Sequence, residues 1–214
     1  MKVQLKYCGN RTYEDYLLVR ESLATHIGVI FVAASKRFVS PDQVKSWLDK
    51  SPKREDQKLV GVFVNQELET LKAHLQTLEL NVVQLHGEES PSYIKELRKI
   101  FGGEIWKVIH HAEGAEQKMK AYLGLVDAFL VDTKVSGQWG GTGMTFDWEA
   151  IPLYINQAHQ LDVPCFIAGG IHPKNVSDLL KYNPDGIDLA SGIEESEQKS
   201  LKYIQAIERK VVPE

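Results

Sequence analysis

The chain has 214 residues, with 25 basic and 29 acidic side chains, a net charge of -4 and 43% hydrophobic residues. That length is ample for a buried core and sits at the short end for a single large α/β barrel. The charge balance argues against nucleic acid or an anionic membrane as the main partner. Two cysteines, Cys8 and Cys165, make no disulfide framework and fit a reducing cytosol. MKVQLKYCG lacks the apolar core of a signal peptide, and no apolar run approaches the roughly 18 residues of a membrane span. The expectation is a cytoplasmic domain with no membrane partner.

In chain order, a first strand is expected over 5–8, then a helix through 13–18, and a second strand over 27–32. Ser40-Pro41 opens the next helix with an N-cap serine and proline at the first helical position. A third strand runs over 59–64. Asn65 is read as the cap of a helix in which Leu68, Leu71, Leu75 and Leu78 recur at helical spacing. A fourth strand covers 82–85, and Ser90-Pro91 opens a helix that stops near Gly102-Gly103. A fifth strand covers 105–109, followed by a helix near 116–123, and a sixth strand covers 128–132. A long loop, 133–146, carries Gly137, Gly140, Gly141 and Gly143. A seventh strand covers 165–168, with Pro173 opening its helix. An eighth covers 187–190, before a final helix to about Lys210.

Strands that are apolar on both faces belong in a parallel sheet covered by helices. Eight strand-then-helix units favour one closed (β/α)8 barrel, an α/β single domain over 1–214, above an open doubly wound sheet. Such a barrel carries its active site at the C-terminal strand ends, so those residues are the candidates.

The seventh and eighth strands end in Ala168-Gly169-Gly170 and Ala190-Ser191-Gly192. Loops after these strands often hold phosphate, with glycine letting backbone N–H groups approach the anion and a serine hydroxyl adding a donor. The cluster Gly140-Gly141-Thr142-Gly143 is where a lid or further phosphate donors would sit. Asp132 ends the apolar run Phe129-Leu130-Val131, a setting that suits a general acid. Cys8 ends the first strand just before Gly9, where a thiolate would serve as base or nucleophile. Lys6 shares its strand face and would bias the thiol toward thiolate. Cys165, in mid-strand, reads as an inert small hydrophobe. Arg37 offers a fork that matches a carboxylate. His86, in Gln84-Leu85-His86-Gly87, would orient substrate or titrate near neutral pH. No CxxC, HExxH, Walker loop or GxGxxG is present, so no metal and no nucleotide cofactor are expected.

Lys6-Tyr7-Cys8-Gly9, Ser35-Lys36-Arg37-Phe38-Val39-Ser40-Pro41, Gly61-Val62-Phe63-Val64-Asn65, Gln84-Leu85-His86-Gly87, Val131-Asp132, the glycine clusters and Asp188-Leu189-Ala190-Ser191-Gly192-Ile193-Glu194 form an ordered set across nearly the whole chain. Taken together, the set resembles the phosphoribosylanthranilate isomerase family of tryptophan biosynthesis. The resemblance implies an Amadori rearrangement of N-(5-phosphoribosyl)anthranilate to 1-(o-carboxyphenylamino)-1-deoxyribulose 5-phosphate, without a cofactor. It implies Cys8 as general base, Asp132 as general acid and Arg37 at the anthranilate end. It also implies Gly141, Gly143, Gly169, Gly170, Ser191 and Gly192 in the phosphate loops. Gln84 and His86 complete the candidate substrate contacts. Two stretches depart from the family pattern: Asn10-Arg11-Thr12, where a threonine usually follows the Cys-Gly pair closely, and Ala190, where serine is common. The competing readings are another sugar-phosphate isomerase or epimerase on the same barrel, and a barrel that binds a phosphorylated ligand without turning it over.

Overall fold

A computed structural model describes residues 3–132 and 148–212. Eight parallel strands close into a barrel in chain order: β1 (Gln4–Tyr7), β2 (His26–Ile30), β3 (Lys58–Phe63), β4 (Val82–Leu85), β5 (Glu104–His110), β6 (Ala128–Asp132), β7 (Cys165–Ala168) and β8 (Gly186–Leu189). β8 pairs back onto β1, with Lys6 opposite Asp188, and so leaves no free edge. The helices α1 (Tyr13–Glu21), α2 (Pro41–Lys50), α3 (Leu68–Thr77), α4 (Pro91–Ile100), α5 (Ala115–Lys118), α6 (Ile151–Gln160), α7 (Val176–Leu179) and α8 (Leu201–Val211) lie between and after the strands. None of them is long and apolar enough to cross a membrane.

Side chains alternate between the two faces of each strand, and both faces are filled. Outward residues such as Leu5, Ile27, Leu59, Val83, Ile105 and Ile167 pack with the helices in one large buried cluster. Inward residues form a second, smaller cluster of Val60, Val82, Trp106, Val108, Ala128, Leu130, Phe166 and Ala168. Trp106 lies 4.4 Å from the Phe166 ring, and His26 lies 4.8 Å from Trp106, so the barrel interior is plugged rather than open.

Local signals explain most boundaries. Ser40 accepts from Gln43 N–H while the Gln43 side chain returns to Ser40 N–H, a complete capping box before Pro41. Ser90 caps α4 by accepting from Tyr93 N–H, ahead of Pro91. Thr12, in the stretch that departs from the family pattern, caps α1 by accepting from Asp15 N–H. Asn10 is fully buried there and donates to the Tyr7 and Gly28 carbonyls.

Two expectations need correction. Asn65 does not cap α3, whose N-cap is Glu67. Asn65 instead takes a left-handed backbone (φ 47°), and its side chain accepts from Glu88 N–H, tying the β3 and β4 loops together. Pro173 lies in a turn ahead of α7, which starts only at Val176. α6 fills the stretch before β7, the one strand-then-helix unit whose helix had been given no bounds, burying Ile151, Tyr154, Ile155 and Ala158. An antiparallel hairpin, β9 (Glu194–Glu195) and β10 (Gln198–Lys199), also follows β8.

Candidate active site

Cys8, Asp132 and His86 all stand at the C-terminal ends of inward-facing rows, on β1, β6 and β4. Between the strands carrying Asp132 and Cys8 run only β7 and β8, with the glycine loops at their ends. One mouth therefore holds a candidate acid, a candidate base and, between them, the candidate anion loops.

The thiol of Cys8 is buried, and its backbone N–H is anchored to Leu189 of β8 (2.8 Å). Gly28 on β2 makes room for it: a Cβ at Gly28 would lie 2.7 Å from the Cys8 sulfur. Below Cys8 in the same row is Lys6, fully buried and paired to Asp188 at 2.9 Å. Burial pushes the Cys8 thiol up; the Lys6 ammonium is the largest force opposing that rise, and Asp188 adds to it. Burial alone would lower Lys6, yet the charges of Asp188 and Cys8 outweigh it and hold the ammonium above its usual range. Lys6 is thus a fixed positive charge beside the thiol, the environment that favours thiolate. Cys165 has no such neighbour: it is buried facing the helices, and burial drives its thiol far up, consistent with an inert residue.

Asp132 is 6% exposed, and its Oδ2 lies 3.2 Å from His86 Nε2. His86 Nδ1 faces the Gln84 amide at 3.2 Å. Gln84, read in the sequence as a substrate contact, is 1% exposed and lies beneath His86 instead. With the Gln84 NH2 donating to Nδ1, the His86 proton sits on Nε2 and serves an ionised Asp132. With the amide turned over, Nε2 would accept from a protonated Asp132. The chain Gln84–His86–Asp132 accommodates both protonation states of the Asp132 carboxyl.

The loop carrying His86 is pinned from outside the barrel. Lys107 of β5 donates to the Leu85 and Gly87 carbonyls and to Glu89 (3.0 Å), while Glu89 accepts from Asn65 and Gly87 N–H. Both partners are almost completely buried.

His110, the last residue of β5, lies next to His111 in sequence. The structure points it toward the mouth, where one ligand atom each from His86, His110 and Asp132 lies within 4.8 Å of the others. These three are the described residues best placed to hold a cation. His111 turns the other way, to Tyr154 Oη (2.8 Å).

At the β7 and β8 ends, Gly169 and Gly170 take left-handed backbones (φ 93° and 65°), and Ser191 begins a single 3-10 turn, Ser191–Ile193. Gly192 lies against the Ile171 carbonyl too closely for any side chain, which locks the two loops together. Among the described residues, the N–H groups of Gly169, Gly170, Ser191 and Gly192 meet no protein acceptor, leaving donors for an anion. Gly141 and Gly143, with the rest of 133–147, lie outside the described residues.

Arg37 reaches the mouth from the loop after β2, but one edge of its fork is already taken. Nε and Nη2 donate to Glu194 Oε1 and Oε2 at 2.8 and 2.5 Å. Neither the partnership with Glu194 nor Lys199 behind it was read from the sequence, because both residues act across long separations from a two-residue strand pair.

The sequence model described as "N-(5'phosphoribosyl)anthranilate (PRA) isomerase" matches residues 5–210. An N-(5'-phosphoribosyl)anthranilate isomerase from Geobacillus thermodenitrificans is 47% identical over 208 residues, covering 97% of this chain and 93% of that protein. One from Bacillus subtilis is 44% identical over 210 residues, covering 98% and 95%. Among solved structures, phosphoribosyl anthranilate isomerase from Thermotoga maritima superposes with a TM-score of 0.85 at 29% identity, over 98% of each chain. A phosphoribosyl anthranilate isomerase in complex with reduced 1-(o-carboxyphenylamino)-1-deoxyribulose 5-phosphate gives 0.81 at 27% identity, again over 98% of each.

Proposed function

The chain belongs to the N-(5'-phosphoribosyl)anthranilate isomerase family, and from that premise we propose that it converts N-(5-phosphoribosyl)anthranilate to 1-(o-carboxyphenylamino)-1-deoxyribulose 5-phosphate, an isomerase step of tryptophan biosynthesis. The observation that carries this reading is the placement of Cys8 and Asp132 in one barrel mouth, on either side of the β7 and β8 loops.

The chemistry asks for one acid and one base. Asp132 protonates the furanose ring oxygen, the ring C–O bond breaks, and the nitrogen lone pair forms a C=N bond at C1. The Cys8 thiolate then takes the C2 proton, and the C2–H electrons return through the C=N bond to give the enolamine. Tautomerisation yields the ketone. C1 is reduced as C2 is oxidised within one molecule, so the sum is an isomerisation that needs no cofactor. Lys6 stabilises the thiolate that starts the second step, and the Gln84–His86 pair holds Asp132 through both protonation states. The free N–H groups at the β7 and β8 loops, with the Ser191 hydroxyl, take the phosphate; this anchoring positions C1 and C2 for the two groups. Arg37 turns its remaining N–H groups to the anthranilate carboxylate. The two unpaired cysteines suit a cytoplasmic enzyme acting on a small phosphorylated substrate.

The test is the decay of substrate fluorescence with freshly prepared N-(5-phosphoribosyl)anthranilate. Decay with the wild type, lost in both Cys8→Ser and Asp132→Asn, supports the activity and the acid–base pair together. A folded wild type that leaves the signal unchanged overturns the activity. Retained turnover in either variant overturns that residue's role.

A further inference from the structure

The carboxylate that occupies Arg37 belongs to a larger arrangement. Glu194 is itself buried, and its Oε1 also accepts from Lys199 Nζ at 2.9 Å. Lys199 is fully buried and places its remaining hydrogens on the Cys8 carbonyl (2.6 Å) and the Ala190 carbonyl (3.2 Å). Its backbone N–H donates to Asp15 Oδ1, whose Oδ2 accepts from Arg11 N–H. Every donor of the Lys199 ammonium is therefore engaged, and the acceptors join the end of β1 to the stretch that follows β8.

The hairpin that carries Glu194 and Lys199 is closed by Ser196 and Glu197, both left-handed (φ 49° and 66°). A two-residue turn with both φ positive favours Asn-Gly, and neither position here is glycine or asparagine. Two such residues are strained unless the surroundings fix them. Here Glu197 is fixed by Lys36 (2.8 Å) and Arg11 (3.7 Å), from the loops after β2 and β1. The hairpin is thus drawn across the mouth onto the two loops that carry Cys8 and Arg37. The aliphatic part of Arg37 lies directly on Gly9, where a side chain would displace it.

We propose that Glu194 and Lys199 are positioning residues for Arg37, which set the direction of its open edge and thereby the selectivity for a substrate bearing an aryl carboxylate. The inference rests on the isomerase reading of the same mouth. A free arginine side chain samples many rotamers, and ordering it on binding opposes affinity. A guanidinium already gripped by a bidentate carboxylate along Nε and Nη2 has its plane fixed. It can offer a ligand only the edge that includes Nη1. Lys199 keeps Glu194 from turning away: burial would raise the Glu194 carboxyl, but Arg37 and Lys199 together hold it below its usual value, so it stays charged across the working range. A second carboxylate is then read by geometry, not by loose charge attraction.

The test compares two substrates, N-(5-phosphoribosyl)anthranilate and N-(5-phosphoribosyl)aniline, which lacks the carboxylate. The wild type should favour the first in kcat/KM by about 100-fold, in the range set by a buried charge-assisted pair. Glu194→Gln should cut that preference about tenfold or more, mainly by raising KM for the carboxylated substrate. Arg37→Lys should cut it as well, and the double variant should lose no more than Arg37→Lys alone, because both act through one contact. Glu197→Gln, at the exposed hairpin tip, provides a milder variant should Glu194→Gln fail to fold; it should shift the preference the same way by a smaller factor. A loss of kcat on both substrates with the preference intact would overturn the proposal, as would an unchanged preference in both glutamate variants. Absence of turnover with the wild type on either substrate instead overturns the isomerase reading, so the two failures are told apart.

Discussion

The inward faces of the barrel strands divide into two regions only one or two residues apart along each strand. Toward the C-terminal ends stand Cys8, Gln84, His86, His110 and Asp132, each tied to a polar partner or a charge. Deeper lie Val60, Val82, Trp106, Leu130 and Phe166, packed with one another and with His26, while Trp106 Nε1 donates to Glu104 Oε2 (3.1 Å). Both regions are filled by the same strands in the same register. What separates them is what the side chains are asked to do: the plug excludes water and keeps the strands apart, while the mouth holds charges in an environment that the plug has made dry. Lys6 and Asp188 mark the boundary, a salt bridge placed inside the barrel just under the thiol.

If that division holds, changes in the mouth should remove activity at little cost in stability, and changes in the plug should do the reverse. The largest effect is expected from Cys8→Ser. A hydroxyl is far harder to ionise than a thiol, so turnover should fall about 1000-fold or more, with an unfolding midpoint in urea close to wild type. A midpoint that falls along with activity would show that Cys8 belongs to the plug as well. Trp106→Ala should behave oppositely. It empties a large volume against Phe166 and His26 and should cost about 3–5 kcal/mol of stability, while KM measured well below the unfolding temperature stays near wild type. A large rise in KM from this variant would mean that the two regions are not separable.

The boundary pair should shift the pH dependence. In the proposed mechanism the active form of Cys8 is the thiolate, and burial raises its pKa, so activity should climb with pH on the acid side of that value. Removing the Lys6 charge takes away the main opposing force, so Lys6→Met should move the rising limb to higher pH. At neutral pH this would lower kcat/KM about tenfold per unit of displacement, with the deficit closing as pH rises. Because Lys6→Met leaves Asp188 buried without a partner, the double variant Lys6→Met/Asp188→Leu serves as the folded control. It should show a smaller displacement of the same sign. A limb that does not move in either variant would leave Lys6 with a purely structural role.

The mouth was more legible in the sequence than the parts that hold it in place. Cys8 and Asp132 stood out because a polar residue that ends a β-branched run in a buried parallel strand needs a reason to be there. Ser40-Pro41 and Ser90-Pro91 marked helix starts because capping is local chemistry. Glu194 and Lys199 could not be read this way. Lys199 meets the Cys8 carbonyl 191 positions away, and two-residue strands carry no periodicity. His110 and His111, adjacent on an extended strand, face opposite ways, and which of them faces inward is read only once the strand register is known. Gln84 was assigned to the mouth by its neighbour His86, although alternation of side chains does place it on the same face, one layer deeper. α6 did leave a signal: Ile151, Tyr154, Ile155 and Ala158 repeat at helical spacing behind Pro152.

The smallest expected effect concerns His26, a titratable group within the plug. His26 packs against Trp106 and Phe166, and burial pushes its pKa down to about 3, with the Lys58 and Lys6 charges acting in the same direction. The folded state therefore keeps the ring neutral, while the unfolded chain takes up a proton near the ordinary histidine value. Since the unfolded state binds more protons below that value, stability is full above about pH 6.5 and falls as the pH drops toward 3. His26→Phe replaces the ring by one of similar size that cannot protonate. It loses the Thr25 hydroxyl contact at Nδ1 (2.8 Å) but also removes Nε2, which is buried without a partner among the described residues. At neutral pH the two changes should offset to within about 1 kcal/mol. At about pH 5 the wild type has lost part of its stability to this linkage, and the variant should have lost less. Urea unfolding at the two pH values reads the difference directly. Equal acid losses in both proteins would mean that the plug opens to water before His26 is protonated, and the dry floor beneath the mouth would have to be given up.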